Sequence, residues 1–136
     1  MIVVFDTNVI VEGIFWPRST ARRALAGLAH RRFKSAVSLE ILDEYKALVA
    51  EIRQRMFPRT QPAATLASSV SKSIHVDPMP LPEKLNRDAH DNVFVATAAA
   101  ARAAYPVTQD RDLLALEKTF GIQIVTPVQL IRHVGP

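Results

Sequence analysis

Four acidic residues have neighbours that distinguish them from ordinary surface charges. Asp6 and Asp110 each follow a run of strand-forming residues, VVFD and PVTQD, whereas Glu44 and Asp91 lie within stretches of helical periodicity. In an open parallel α/β sheet, ligands bind beyond the carboxyl ends of the strands, at the point where the strand order reverses. We therefore predict that Asp6 and Asp110 lie over one crevice, and that Glu44 and Asp91 reach it from neighbouring helices.

Carboxylates gathered in this way require a cation among them. Two of them in close contact repel by up to about 4 kcal/mol at an effective dielectric constant of about 20. The chain has no cysteine, so the candidate ligands are oxygens, and the hard ions Mg²⁺ or Mn²⁺ fit them best. Such ions activate water at neutral pH and stabilise the leaving oxygen of a phosphoryl displacement. The acidic cluster predicts metal-dependent cleavage of a phosphodiester.

The charge of the whole chain agrees with a polyanionic substrate. It has 17 Lys and Arg against 13 Asp and Glu, and four of those acids belong to the cluster. The basic residues are concentrated in two segments, although such runs are often only the solvated face of a helix. The candidate phosphate contacts are Arg18, Arg22, Arg23, Arg53, Arg55 and Arg59.

Each acid also has a purely structural interpretation. Asp6, Asp91 and Asp110 are each suited to cap the start of a helix, and Glu44 could be a half-exposed surface acid. The histidines are scattered and are interpreted as structural or solvated, with the exception of His90, which adjoins Asp91.

The elements that must position the acids can be read from the apolar pattern. Residues 2–5 (IVVF) have no polar alternation, which is typical of a central strand covered on both faces. Ser38 is expected to cap a helix that runs to about Met56, with Glu44 on the flank of its apolar stripe and Asp43 pointing away. A helix opened by Asp88 or Asp91 continues to residue 104.

The remaining segments alternate between strands and helices. The expected helices cover residues 8–15, 19–31, 63–72, 113–120 and 128–133, the further strands cover 33–37, 74–76, 105–108 and 122–125, and the prolines of 77–82 form a stiff connector. This alternation predicts one α/β domain, residues 1–136, with a parallel sheet of about five strands and helices on both faces.

The composition of the chain bears on its cellular location and on whether it forms a dimer. No apolar run approaches the ~20 residues of a membrane span, and no basic leader precedes the apolar N-terminus, so we expect neither a membrane anchor nor a signal peptide. The lack of cysteine is typical of a cytoplasmic protein. Two helices carry apolar residues on more than one side, which favours a two-fold dimer. These residues are Ala21, Leu25, Leu28, Leu39, Leu42 and Val49.

Four segments together resemble a known family. VVFDTNVIV, SLEILDEYKAL, RDAHDNVFVATA and VTQDRDLLAL occur in the order and spacing of PIN domains, and the chain is similar to the VapC-like ribonuclease toxins among them. The resemblance implies that Asp6, Glu44, Asp91 and Asp110 are the metal-binding quartet, with Asp112 a candidate fifth member. It further implies that Thr7, Asn8 and Thr108 orient the carboxylates or the bound water.

The same resemblance implies a Mg²⁺- or Mn²⁺-dependent endoribonuclease, the toxin of a toxin-antitoxin pair, neutralised by a small antitoxin and acting as a homodimer. The short chain, without added arches, favours RNA over structured DNA. Two positions depart from the family pattern: Ala89-His90 stands where Pro-Asp is common, and Gln109 stands where a small residue is common. We expect both departures to affect substrate choice.

Other functions remain open at this stage. One is a PIN-fold nuclease of RNA processing without a toxin role, and another is an inactive PIN fold used for binding, which the presence of all four acids disfavours. A phosphoacceptor receiver domain is also a small α/β fold with acidic residues at strand ends. It requires a lysine just beyond a late strand, but the first lysine after residue 108 is Lys118, within a predicted helix.

Overall fold

The computed structural model describes residues 1–78, 89–115 and 123–134, and for residues 89–91 it describes the backbone only. Four parallel strands form one sheet in the order β3-β2-β1-β4. They are β1 (Ile2–Phe5), β2 (Lys34–Val37), β3 (Ile74–His75) and β4 (Tyr105–Val107). The sheet is flanked by helices, so the predicted α/β class is confirmed.

The helices of the described residues follow the predicted pattern with small shifts at their ends. They are α1 (Thr7–Phe15), α2 (Thr20–Ala29), α3 (Leu39–Met56), α4 (Pro62–Val70), α5 (Ala89–Ala101), α6 (Arg111–Ala115) and α7 (Pro127–Val134). None of the helices in this described part of the chain is both long and apolar enough to cross a membrane.

Strand β1 is central, as its uninterrupted apolar sequence predicts. Val3 and Val4 are fully buried, and β1 pairs with β2 on one side and with β4 on the other. From β1 the chain builds outwards through β2 to β3, and then returns to place β4 on the opposite side of β1. The strand order therefore reverses between β1 and β4, which defines the crevice where an α/β sheet binds its ligands.

The predicted fifth strand is wrong in length. Of residues 123–125, which the structure describes, only Val125 joins the sheet, as an isolated parallel bridge to Val107. The segment turns at once into α7, because Thr126 and Gln129 cap that helix reciprocally and Pro127 begins it. Proline is favoured at the first position of a helix and cannot donate to a strand ladder, so pairing does not continue beyond Val125.

Several predictions lie outside the described residues. They concern the connector beyond residue 78, residues 116–120 of the predicted helix, and Ile122 of the predicted fifth strand.

Helix α3 shows how local sequence fixes the direction of a side chain. The Ser38 hydroxyl accepts a hydrogen bond from the Ile41 N–H at 3.1 Å and so caps the helix, as predicted. Ile41 and Tyr45 then face the core, which leaves Glu44 half-buried and Asp43 exposed. Of the two neighbouring acids, only Glu44 lies at the edge of the buried face.

Candidate active site at the switch point

Asp6 is the first residue beyond β1, and its carboxylate is held from two sides. The side chain is 9% exposed. One carboxylate oxygen, Oδ1, accepts from the Thr7 N–H at 2.8 Å, and the other, Oδ2, accepts from the Thr108 hydroxyl at 2.6 Å. Asp6 therefore caps α1, as its structural interpretation proposed, and also faces the end of β4, as its functional interpretation requires.

The surroundings of Asp6 disfavour its negative charge. Burial raises the pKa of this carboxyl above its usual value, and the charges of Asp110 and Glu44 raise it further, while the hydrogen bonds from Thr108 and Thr7 lower it. The two other acids are therefore close enough to act on Asp6. A cation at this position would favour the ionised form, because it offsets both the loss of water and the repulsion.

Glu44 approaches the site from α3. Its Oε2 accepts a hydrogen bond from the Thr7 hydroxyl at 3.2 Å, which links α3 to the start of α1. The next residue, Tyr45, is fully buried and donates its hydroxyl to the carbonyl oxygen of Phe5, the last residue of β1. Burial, followed by the charges of Asp6 and Glu44, raises the pKa of Tyr45 well above its usual value, so the phenol keeps the proton that it donates.

Asp110 approaches from the loop after β4. Its N–H donates to the Thr108 hydroxyl at 3.0 Å, and its Oδ1 accepts from the Asp112 N–H at 2.8 Å at the start of α6. The hydroxyl of Thr108 thus donates to Asp6 and accepts from the backbone of Asp110, which fixes the two acids relative to each other. The Asp112 side chain is exposed, and the contact of this residue with Asp110 is made by its backbone N–H.

The side chain of Asp91, like that of His90, lies outside the described part of the structure. The backbone of Asp91 belongs to α5, which contacts β1 and β2. Phe94, Val95 and Ala98, which we expect to share its face, are buried. That Asp91 joins the other acids stays a prediction.

The described acids suit a hard cation by donor type and by charge. They offer only carboxylate oxygens, and their mutual repulsion at Asp6 is what a cation would relieve. Among the side chains that are described, which exclude Asp91, no three acids or histidines are gathered closely enough to hold a metal ion by themselves. That Asp91 completes a metal site with these three acids stays a prediction.

Two of the three predicted positioning residues contact the acids, and one further contact was not anticipated. Thr7 and Thr108 contact the acids directly, whereas Asn8 is exposed at the start of α1. The Gln109 amide donates to Glu12 Oε2 on α1 at 2.6 Å. Glu12 could have been identified from the sequence, because it lies four residues after Asn8 and the two residues therefore share one face of a helix.

The six candidate arginines divide into two groups. Arg22 donates to the carbonyls of Gly13 and Ile14 at the end of α1, Arg53 donates to the Thr60 carbonyl, and Arg55 pairs with Glu51 at 3.1 Å. The three others are exposed, and their side chains have no hydrogen-bond or ion-pair partner within the described ranges. They are Arg18, Arg23 and Arg59.

The fold and the site together define a parallel α/β domain with acidic residues gathered at its switch point. The sequence profile of the PIN domain family matches residues 2–112, and the chain belongs to this family. PIN domains are in general nucleases and typically use divalent metal ions. No curated protein matches the chain significantly.

Two solved structures share the fold. One is the VapBC2 structure of Rickettsia felis, bound to a DNA fragment from its promoter. The match has a TM-score of 0.66 and 19% identity, and it covers 93% of this chain and 98% of that one. The other is PAE2754 from Pyrobaculum aerophilum, with a TM-score of 0.60, 23% identity, and coverage of 98% of this chain and 88% of that one.

Proposed function

We propose that the protein is a Mg²⁺- or Mn²⁺-dependent endoribonuclease that hydrolyses RNA phosphodiester bonds. The observation that carries this proposal is the convergence of Glu44 and Asp110 on the buried carboxylate of Asp6, at the switch point of a PIN fold. With Asp91 these acids would hold the ion. Such an ion, when bound, activates water and stabilises charge on the phosphoryl oxygens.

The residues of the chain itself supply orientation. The Thr108 hydroxyl holds Asp6 and the Asp110 backbone, so the two acids cannot move apart without breaking a hydrogen bond. The Thr7 hydroxyl positions Glu44 in the same way. Fixing ligands before the metal binds reduces the ordering that each binding event requires.

The direct test is the cleavage of a defined single-stranded RNA by the purified protein. We expect internal cuts with Mn²⁺ or Mg²⁺ and none with EDTA. Ca²⁺, which binds oxygen ligands in more flexible geometry, serves as the comparison ion. Cleavage that persists in EDTA would contradict a metal-dependent mechanism.

We further propose that the protein is the toxin of a toxin-antitoxin pair and that a small protein neutralises it by covering or entering the acidic cleft. The fold shared with the VapBC2 structure of Rickettsia felis supports this role. A small open reading frame beside the gene, encoding a DNA-binding motif, is expected. The protein that this frame encodes should inhibit RNA cleavage at a stoichiometric ratio. If no such frame lies beside the gene, a PIN nuclease of RNA processing is favoured.

RNA binding is expected to weaken steeply with salt. Each phosphate that an arginine neutralises contributes about 0.7 to the slope of log K against log salt for single strands. Changing Arg18, Arg23 and Arg59 together to Gln should therefore lower this slope by about 2 if each of them contacts one phosphate. Arg55→Gln is the matched control, because Arg55 already pairs with Glu51. A slope unchanged in the triple variant would mean that the three arginines are only solvated surface.

We propose that the active form is a homodimer, although three of the six apolar residues predicted to favour it are not at the surface. Ala21, Leu25 and Val49 are buried within the domain, so they are not surplus apolar surface. Leu39, at the start of α3, is 71% exposed and is the strongest remaining candidate for a contact. Light scattering at micromolar concentration should give twice the monomer mass of 15.1 kDa. Leu39→Lys is expected to shift the protein towards monomer, and a monomeric wild type would contradict the dimer.

A further inference from the structure

A cavity of about 740 Å³ adjoins the candidate active site along the exposed side of α1. Its walls include Asn8, Glu12, Trp16 and Arg18. Asn8 is two residues beyond Asp6, and because a helix rises 1.5 Å per residue, the cavity extends roughly 12 Å from there to Trp16. Glu12 is also tied to Gln109, the neighbour of Asp110. The cavity therefore lies beside the acids, next to them through Asn8 at the start of α1 and through the hydrogen bond between Glu12 and Gln109.

Trp16 gives the far end of the cavity an aromatic surface. It is the only tryptophan of the chain and is 40% exposed. Phe57 and Phe15 hold its ring nearly perpendicular to their own, at centroid distances of 5.3 and 6.4 Å. A ring that is fixed before binding loses little freedom when a second ring stacks on it. Stacking of a nucleobase on such a side chain contributes about 1–3 kcal/mol.

Glu12, midway between Asn8 and Trp16, gives the cavity hydrogen-bond acceptors. The Gln109 amide uses one lone pair of Glu12 Oε2, so most of the carboxylate remains able to accept. Guanine presents two adjacent donors on its Watson–Crick edge, N1–H and N2–H₂, whereas uracil presents one N–H between two carbonyl acceptors. A carboxylate in this position distinguishes the two bases by donor count, because it accepts from both donors of guanine but meets the carbonyl oxygens of uracil.

We propose that this cavity is a nucleobase subsite that binds a guanine next to the scissile phosphate of the RNA. Trp16 stacks on the base, Glu12 accepts hydrogen bonds from its edge, and Gln109 is a positioning residue that orients Glu12. Arg18, which has no partner in the described part of the chain, contacts a neighbouring phosphate. The proposal rests on the proposed ribonuclease function.

The first experiment follows the fluorescence of Trp16 while GMP or UMP is added to the protein in EDTA, so that binding is measured without hydrolysis. GMP is expected to quench the single tryptophan and to bind about tenfold more tightly than UMP, as one good carboxylate-to-base contact provides. Glu12→Gln should bring GMP binding close to that of UMP. Gln109→Ala should lower the ratio of the two affinities, whereas a merely structural effect would weaken both nucleotides equally.

Glu51→Gln is the matched control, since Glu51 is an exposed carboxylate on α3 that faces Arg55 rather than the cavity. It should leave both affinities unchanged. Equal binding of GMP and UMP by the wild type, or a ratio that Glu12→Gln does not change, would overturn the subsite.

The second experiment sequences the cut ends of a randomised RNA pool with Mn²⁺ present. The wild type is expected to cut beside guanine, and both Glu12→Gln and Trp16→Ala should lose this bias. If the wild type and both variants cut beside the same bases with the same frequencies, the subsite is overturned. This holds even if a protein inhibitor no longer acts on the variants. If the wild type cuts no RNA but discriminates GMP from UMP, the subsite stands and the ribonuclease proposal fails.

Discussion

Asp6→Asn is expected to reduce RNA hydrolysis by a factor on the order of 10³ or more, because it removes a metal-binding charge that contributes several kcal/mol to the transition state. The fold should persist, since an asparagine oxygen can still accept from the Thr7 N–H. Asparagine is also a favoured residue at the start of a helix. The measurement is the single-turnover cleavage of a labelled RNA with Mn²⁺, together with circular dichroism of the same sample.

The same variant should not lose stability in the absence of metal. The folded-state pKa of Asp6 is raised, so this group contributes stability below its unfolded pKa and loses that contribution as the pH rises through the folded pKa. At neutral pH the ionised carboxylate therefore destabilises the metal-free wild type. In EDTA, Asp6→Asn should melt at the same or a higher temperature than the wild type, and the difference should shrink as the solution is made acidic.

Asp43→Ala is the matched control for the loss of activity. Asp43 is exposed on α3 beside Glu44 and points away from the buried face. Its removal should change the free energy of unfolding by less than about 0.5 kcal/mol, as is usual for surface sites, and leave cleavage unchanged. If Asp6→Asn kept near wild-type cleavage with metal present, the acidic cluster would not be the catalytic site.

Divalent ions are expected to stabilise the folded protein. An ion that binds only the assembled cleft increases the free energy of unfolding by about 2.7 kcal/mol at 100 times its dissociation constant. Part of this gain comes from Asp6, whose charge is disfavoured by burial and by its acidic neighbours until a cation is present. Thermal denaturation should therefore give a higher melting temperature with Mn²⁺ or Mg²⁺ than with EDTA.

Variants of the acids show which of them bind the ion. Asp6→Asn, Glu44→Gln, Asp91→Asn and Asp110→Asn should each abolish most of the shift in melting temperature. Asp112→Asn decides whether the exposed fifth acid takes part. A melting temperature indifferent to Mg²⁺, Mn²⁺ and chelator in the wild type would contradict metal binding by this cleft.

The sequence determined those parts of the protein that depend on local patterns. The apolar run of residues 2–5 identified the central strand, and Asp6 followed as the first polar residue at its end. Ser38 predicted the start of α3, and the helical period then separated Glu44 from Asp43. These features could be predicted because a strand buried on both faces, a helix cap and a helical stripe each depend on residues a few positions apart.

Tertiary structure alone decided the contacts between distant residues. The hydrogen bond of Thr108 to Asp6 spans 102 positions, and that of Gln109 to Glu12 spans 97. No periodicity connects such pairs, because they meet only after β4 has been placed beside β1. Of the predicted strand 122–125, Val125 alone among residues 123–125 pairs with β4, and the cap formed by Thr126 and Gln129 begins α7 directly after it.

The partners of the arginines were likewise decided by the tertiary structure. Charge in the sequence marked six of them as equal candidates, yet Arg22 is used by the fold to bind the last carbonyls of α1, while Arg18 remains exposed beside the cavity. Sequence gives the charge of a side chain, but its partners depend on which backbone groups the fold leaves without a hydrogen bond. A helix end leaves four such carbonyls, and only the packing of α2 against α1 determined which arginine would reach them.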